Sequence, residues 1–149
     1  MTPEKVQRAE RTELIGGGND ILAYKVSFLG TQMMLYYMFD KDSLFRAAYS
    51  SVEKYINLDN YINDYNNYRE QLVQYHGEAH RIELQWKNDE FKDIPEKQGI
   101  ALQSGHLVMV SSWVTAESIV TLICMGDGTK ISLEITYESK EQGRMSKRE

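Results

Sequence analysis

The chain of 149 residues has little to staple it and nothing to anchor it. A single cysteine, Cys124, excludes an internal disulfide framework. Lys and Arg number 17 against 22 Asp and Glu, so the net charge is −5 and the basic footprint of a nucleic-acid binder is missing. Met33 to Phe39, the longest apolar run, has 7 residues, well short of the roughly 18 that a membrane helix needs. The N-terminus has no basic start followed by an apolar stretch, so the chain carries no secretion signal, although a leader already removed would leave no trace. What remains is a globular composition, 42% hydrophobic and 26% charged. A chain of this length buries roughly 68–70% of its unfolded surface and needs no metal or disulfide. The expectation is one soluble α+β domain over residues 1–137, followed by a disordered charged tail over 138–149, with no cofactor, no transmembrane segment and no nucleic-acid partner.

Along the chain, two periodicities alternate. Thr2-Pro3-Glu4-Lys5-Val6 has the cap, the proline and the early acid of a short helix opening, which Gly16-Gly17-Gly18 would stop. From Ile21 apolar residues recur every second position: Leu22, Tyr24, Val26 and Phe28, then Gln32 to Phe39, then Phe45, Ala47 and Tyr49. Leu29-Gly30-Thr31 and Asp40-Lys41-Asp42-Ser43 separate them as hairpin turns, giving a three-stranded meander. Leu58, Tyr61, Ile62, Tyr65, Tyr68 and Leu72 then recur at steps of three and four, which predicts an amphipathic helix from about Asn60 to Gln74, capped by Asn57 or Asp59 and closed by Gly77. Strand signals return at Arg81 to Trp86, Gly99 to Gln103, His106 to Trp113 and Glu117 to Cys124, with Lys87 to Gln98 a charged loop and Ser104-Gly105 a turn. Gly126-Asp127-Gly128-Thr129 opens a last strand, Lys130 to Tyr137, with Ile131, Leu133, Ile135 and Tyr137 on the packed side and Ser132, Glu134 and Thr136 on the wet one. The order of elements suggests antiparallel meanders packed on a short N-terminal helix and a longer central one, as two quasi-repeated α-β units.

Residues that could carry chemistry are few. His76 and His80 stand four apart, but Gly77 breaks the helix between them, and His106 begins a strand elsewhere. Gly16 to Gly18 would follow a helix and precede a strand, the reverse of a phosphate loop, and read as a connector. Cys124 sits among Val120, Leu122, Ile123 and Met125 as a small hydrophobe without a basic neighbour. Acids and lysines interleave from Lys87 to Lys97 without a calcium-loop spacing. The compositional oddity is tyrosine, 10 in all. Tyrosine gives rigid amphipathic contact area, so aromatics left on outward strand faces suit recognition of another protein, and Tyr36, Tyr37 and Trp113 are the candidate binding residues.

Met1-Thr2-Pro3-Glu4-Lys5-Val6, Ile21 to Tyr24, Leu35 to Phe39, Tyr61 to Tyr65, Leu72 to Gly77, Trp86-Lys87-Asn88, Gly105-His106-Leu107, Ser112-Trp113 and Ile131 to Tyr137 form an ordered set. That set resembles an uncharacterised family of small bacterial α+β proteins, over nearly the whole chain. More remotely, at the level of fold, the plan is similar to the modules of beta-lactamase inhibitor protein and of the outer-membrane assembly lipoprotein BamE. The resemblance implies a fold and a protein partner and carries no activity. His76 stands between Tyr75 and Gly77, where that family has Tyr-Gly, which implies a shifted helix cap. An aromatic-Trp-Gly segment that precedes Met1-Thr2-Pro3 in the family is absent here, which implies a longer, exported precursor.

The leading functional expectation is a non-enzymatic interaction module associated with the cell envelope, working through sheet-face aromatics and the Lys87 to Gln98 loop. Two alternatives are a small ligand-binding protein or enzyme with a histidine-containing pocket, and a cytoplasmic inhibitor or immunity-like protein.

Overall fold

The computed structural model describes residues 14–17 and 20–140. The helix opening at Thr2 to Val6 and the tail from residue 141 lie outside the described residues. The protein is α+β, with eight antiparallel strands in one sheet. In chain order the strands are β1 (Leu14–Gly17), β2 (Ile21–Phe28), β3 (Thr31–Asp40), β4 (Ser43–Ser51), β5 (Arg81–Trp86), β6 (Leu107–Val114), β7 (Ser118–Gly126) and β8 (Ile131–Ser139). Helix α1 (Asp59–His76) joins β4 to β5, and the short α2 (Gln98–Ser104) precedes β6.

Turn chemistry sets the first four strands. Leu29 and Gly30 have φ of 53° and 80°, and Lys41 and Asp42 have φ of 49° and 64°. Two consecutive left-handed residues make a two-residue loop whose twist matches that of the flanking strands, and Phe28 pairs with Thr31 and Asp40 with Ser43 directly across these loops. Both predicted hairpins are present. One register shift, between Met38 and Phe39, leaves Phe45 unmatched on β4, so Phe45 drops out of the row it was expected to share with Ala47 and Tyr49.

The sheet order, β1-β2-β3-β4-β8-β7-β6-β5, results from one long crossing. The chain leaves β4 in the middle of the sheet and runs as α1 to the far edge. It then returns strand by strand until β8 lies beside β4, with Tyr49 opposite Ile135. Two four-stranded meanders therefore meet at their last strands. Both described helices pack on the second meander, α1 against β7 and β8 and α2 against β6 and β7, so two copies of a helix-and-meander unit are not seen among the described residues.

The stripe Tyr61, Tyr65, Tyr68 and Leu72 on α1 is buried, as its spacing predicts. Burying a side chain such as Leu72 stabilises the fold by roughly 1.5–3 kcal/mol. The helix runs one residue earlier and two later than expected. At its start the Asn57 side-chain oxygen accepts a hydrogen bond from the Asp59 N–H, 3.0 Å, without capping the helix proper. At its end Gly77, φ 85°, donates its N–H to the Val73 carbonyl, 2.7 Å. These side chains meet Leu107, Met109, Trp113, Val120, Leu122, Cys124, Leu133 and Ile135, which alternate along β6, β7 and β8. Leu29 and Met33, from the β2–β3 hairpin, reach the same core, and Leu29 accepts a hydrogen bond from the Gln71 amide at its carbonyl, 3.2 Å.

Four expectations need correction. Gly99 to Gln103 is helix α2 rather than a strand. Ala101 and Leu102 are both fully buried on adjacent positions, which a strand facing two ways would not allow at this edge. Gly105 ends α2 in a left-handed conformation, donating to the Leu102 carbonyl while His106 donates to that of Ala101. Gly16 and Gly17 belong to β1 instead of a connector. β8 continues to Ser139, past Tyr137, where the last strand is expected to end. Thr136, assigned to the wet side of β8, is buried. Among the described residues no helix is long and apolar enough to cross a membrane.

The C-terminus of α2 is docked on the β7–β8 hairpin through Gly128, whose N–H donates to the Gln103 carbonyl, 2.7 Å. Gly126 makes that approach possible, since a Cβ there would stand 2.1 Å from the Leu102 carbonyl oxygen and 2.7 Å from the Gln103 Cα. Gly126→Ala is expected to cost about 3 kcal/mol or more, because main chain must move. Gly128→Ala, where φ is 98° and space is open, is expected to cost about 1 kcal/mol. Equal urea midpoints for the two variants would contradict this account.

Candidate interaction surface

Cross-strand registers put Leu22, Tyr24, Leu35 and Phe39 of the first meander on the same side of the sheet as the helices, in a second core cluster. The other side of the sheet has no helix across it among the described residues. One row on this helix-free face is made almost wholly of small residues. Ala23 pairs with Tyr36, Tyr36 with Ala48, Ala48 with Thr136, Thr136 with Thr121, and Thr121 with Ser112, so the row crosses β2, β3, β4, β8, β7 and β6. Larger side chains flank it. Ile21, Met38, Arg46, Glu138, Ile119 and Val114 form one neighbouring row, and Lys25, Met34, Ser50, Glu134, Ile123 and Val110 the other.

The result is a trough with a floor of Ala, Thr and Ser and with Tyr36 near one end. Its floor residues Ala23, Ala48 and Thr136 are buried, whereas Ile21 and Val114 on the rim are each 43% exposed. With strands about 4.8 Å apart, six strands make the trough about 24 Å long, and rows two residues to either side leave it about 13 Å wide between rims. Those dimensions accept a helix or an extended segment laid across the strands.

The three predicted binding residues part company here. Tyr36 lies on the trough floor, half-buried. Tyr37 points to the opposite side, where it packs against the Leu22, Tyr24, Leu35 and Phe39 cluster and meets the Tyr24 ring edge-on, centroids 5.9 Å apart. Trp113 is 0% exposed and donates its indole N–H to the Gly77 carbonyl, 2.9 Å, so the reading of Trp113 as an outward aromatic is corrected. Successive residues on a strand face opposite ways, so Tyr36 and Tyr37 could not both serve one surface. Ser112, not Trp113, belongs to the trough for the same reason.

Tyrosine abundance is explained mainly by packing. Phe28 stacks on Tyr49 with centroids 4.0 Å apart, Tyr49 meets Tyr137 at 6.0 Å, and the Tyr137 hydroxyl is 3.1 Å from His76 Nε2. This string ties the end of β2 to the end of α1. Burial, with Tyr49 and Tyr75 nearby, pushes the Tyr137 hydroxyl up to about 12. Tyr55 donates to the Asp64 carboxylate, 2.6 Å, which raises its own pKa, and the Tyr61 hydroxyl accepts from the Tyr55 N–H, 3.0 Å. These bonds fall beside a cleft of about 480 Å³ between the Val52 to Tyr55 loop and the start of β8, rimmed by Lys54 and Lys130.

The histidines have separate partners. His76 meets Tyr137, His80 Nδ1 accepts from the Val114 N–H at 3.2 Å, and His106 stacks on Phe91 with centroids 5.5 Å apart. Among the described residues no group of three or more His, Cys, Asp or Glu is arranged to hold a metal ion. The Lys87 to Gln98 segment forms turns and a short 3-10 helix, Pro95–Lys97, leading directly into α2.

Comparison with family models, with curated proteins and with solved structures found no match.

Cys124 is fully buried on β7, and its thiol is pushed up to about 12 by loss of solvent and, secondarily, by the Asp64 charge. The folded state therefore holds the proton where the unfolded thiol loses it, so stability is full below about pH 9 and falls as pH rises towards 12. Cys124→Val should flatten part of that fall between about pH 9 and about pH 12, read as urea midpoints. In the wild type a thiol reagent should label Cys124 only at the rate of unfolding. Rapid labelling of the folded protein would contradict the burial.

Proposed function

We propose that this chain is a non-enzymatic protein-binding module that receives a segment of a partner protein in the trough on the sheet face that no described helix crosses. The observation that carries this reading is the continuous row Ala23, Tyr36, Ala48, Thr136, Thr121 and Ser112, small side chains across six strands with one tyrosine among them. Among the described residues no helix crosses this face, and apolar side chains on its rims, Ile21 and Val114, are each 43% exposed; exposed apolar groups of this kind are used for association. Each rim carries two charges among apolar groups, Arg46 and Glu138 opposite each other on one and Lys25 and Glu134 on the other. Rims of that kind fix the register of a bound segment more than they add affinity. The separate engagement of His76, His80 and His106 gives the histidine-pocket alternative no comparable support.

Affinity capture from soluble and envelope fractions of the source cell tests the proposal. A near-stoichiometric protein should be retained by the wild type. Tyr36→Ala should weaken retention about tenfold through loss of the aromatic anchor, and Thr121→Arg should abolish it by filling the trough. Circular dichroism should show both variants folded, since neither residue contributes to a core cluster. Undiminished capture by Thr121→Arg, or empty capture from both fractions, would overturn the reading.

A further inference from the structure

The seam where the two meanders meet is short. β4 pairs with β8 only from Arg46 to Ser50, opposite Glu138 to Glu134, whereas β7 stays paired with β8 as far as Ile131. Beyond Ser51 the chain leaves β4 and turns through the Val52 to Tyr55 loop towards α1. The sheet therefore splits at this end of the seam, and the cleft of about 480 Å³ occupies the split. Its volume falls in the range of about 300–1,000 Å³ that small-molecule sites occupy.

What the split exposes is rich in hydrogen-bond donors. The Asp127 N–H donates to the Lys130 carbonyl, 3.1 Å, and the Lys140 N–H to the Glu117 carbonyl, 3.2 Å. By antiparallel alternation between these two contacts, the main chain of Ser132, Glu134, Thr136 and Glu138 bonds to β7, and that of Ile131, Leu133, Ile135 and Tyr137 is directed towards β4. At Ile131 β4 has already left, so its N–H and carbonyl have no strand opposite them among the described residues. The Tyr61 hydroxyl, on a side chain only 9% exposed, accepts from the Tyr55 N–H, and its own proton has no acceptor among the described residues. Lys54 and Lys130 add two ammonium groups to the cleft, against the single carboxylate of Glu53. Val52, Tyr55 and Leu58 give it an apolar wall.

We propose that this cleft binds a small organic carboxylate with an apolar body. The charge is met by the Tyr61 hydroxyl, the Ile131 N–H and the two lysines, and the body lies against Val52, Tyr55 and Leu58. Donors that the fold already holds in place, without acceptors of their own, favour a ligand that brings a negatively charged acceptor. A single charge suits the cleft better than two, because Glu53 stands in it. A phosphate would also call for an arginine fork or a nest of successive main-chain N–H groups, and neither Arg nor Gly lines the cleft. The site shares only Ser50 with a rim of the trough, so either association can fail alone.

Titration of the isotope-labelled full chain with hydrocinnamate, read by amide chemical shifts, tests the proposal. Binding should saturate with a Kd below about 1 mM, and the largest shifts should fall at Ser50 to Leu58, Tyr61 and Thr129 to Ser132. The primary amide of the same acid keeps the shape and loses the charge, and should bind about tenfold more weakly or worse. Lys54→Gln and Lys130→Gln should each weaken hydrocinnamate about threefold, and Glu53→Gln should tighten it by a similar factor. These three side chains are exposed, so the variants should melt as the wild type does. Tyr61→Phe should also weaken binding about threefold. Absence of saturation by about 10 mM, shifts centred outside the cleft, or equal affinity for the acid and its amide would overturn the proposal. So would lysine variants that bind as the wild type does, or inorganic phosphate binding as tightly as hydrocinnamate.

Discussion

The hydroxyls of Tyr65 and Ser111 share a hydrogen bond of 2.6 Å in a region that water does not reach, and this contact fixes how α1 lies on the sheet. A buried hydroxyl left without a partner costs about 1–3 kcal/mol, so neither side chain can slide along the other without penalty. Loss of solvent raises the Tyr65 pKa, while the bond to Ser111 works in the opposite direction. With Tyr65 fixed, Tyr61, Tyr68 and Leu72 have one rotational phase available, which is the phase that fills the space over β6, β7 and β8. The indole of Trp113, bonded to Gly77, fixes the far end of the same helix.

One-sided covering follows from that phase. The helix side of β7 and β8 is buried, and the residues between face a side with no described helix. The long crossing from β4 to β5 also places the second meander's first strand at an edge. The trough and the β5 edge are thus two consequences of a single arrangement. One is a face with no described helix across it, and the other is a ladder with no described strand beyond it.

Much of this was legible in the sequence because the local signals were strong. Leu29-Gly30 and Lys41-Asp42 announce tight hairpins, and the stripe from Tyr61 to Leu72 announces a helix and its buried side. Gln98 to Ser104 was misread because seven residues show too little periodicity to tell a buried helix from a short strand. Trp113 was misread because both faces of β6 are apolar, Val108 and Val110 on one and Leu107 and Met109 on the other, so alternation does not reveal which face the helices cover. Tyr36 could be placed on a strand but not on a face.

The trough escaped the sequence for a different reason. Ala23, Tyr36, Ala48, Ser112, Thr121 and Thr136 are scattered along the chain, and only the registers of five strand pairs bring them into a line. Small residues at such positions look like weak strand formers until their alignment is known.

The division of the sheet into a helix-covered side and a side with no described helix can be measured through methionine. Met33 and Met109 are 1% and 5% exposed on the helix side, whereas Met34, Met38 and Met125 occupy the other, Met125 at 40%. In limited peroxide oxidation read by mass spectrometry, Met34, Met38 and Met125 should convert to sulfoxide well before Met33 and Met109. Oxidation of Met33 or Met109 at the rate of Met34 in the folded protein would contradict the assignment of the two faces, and with it the open trough.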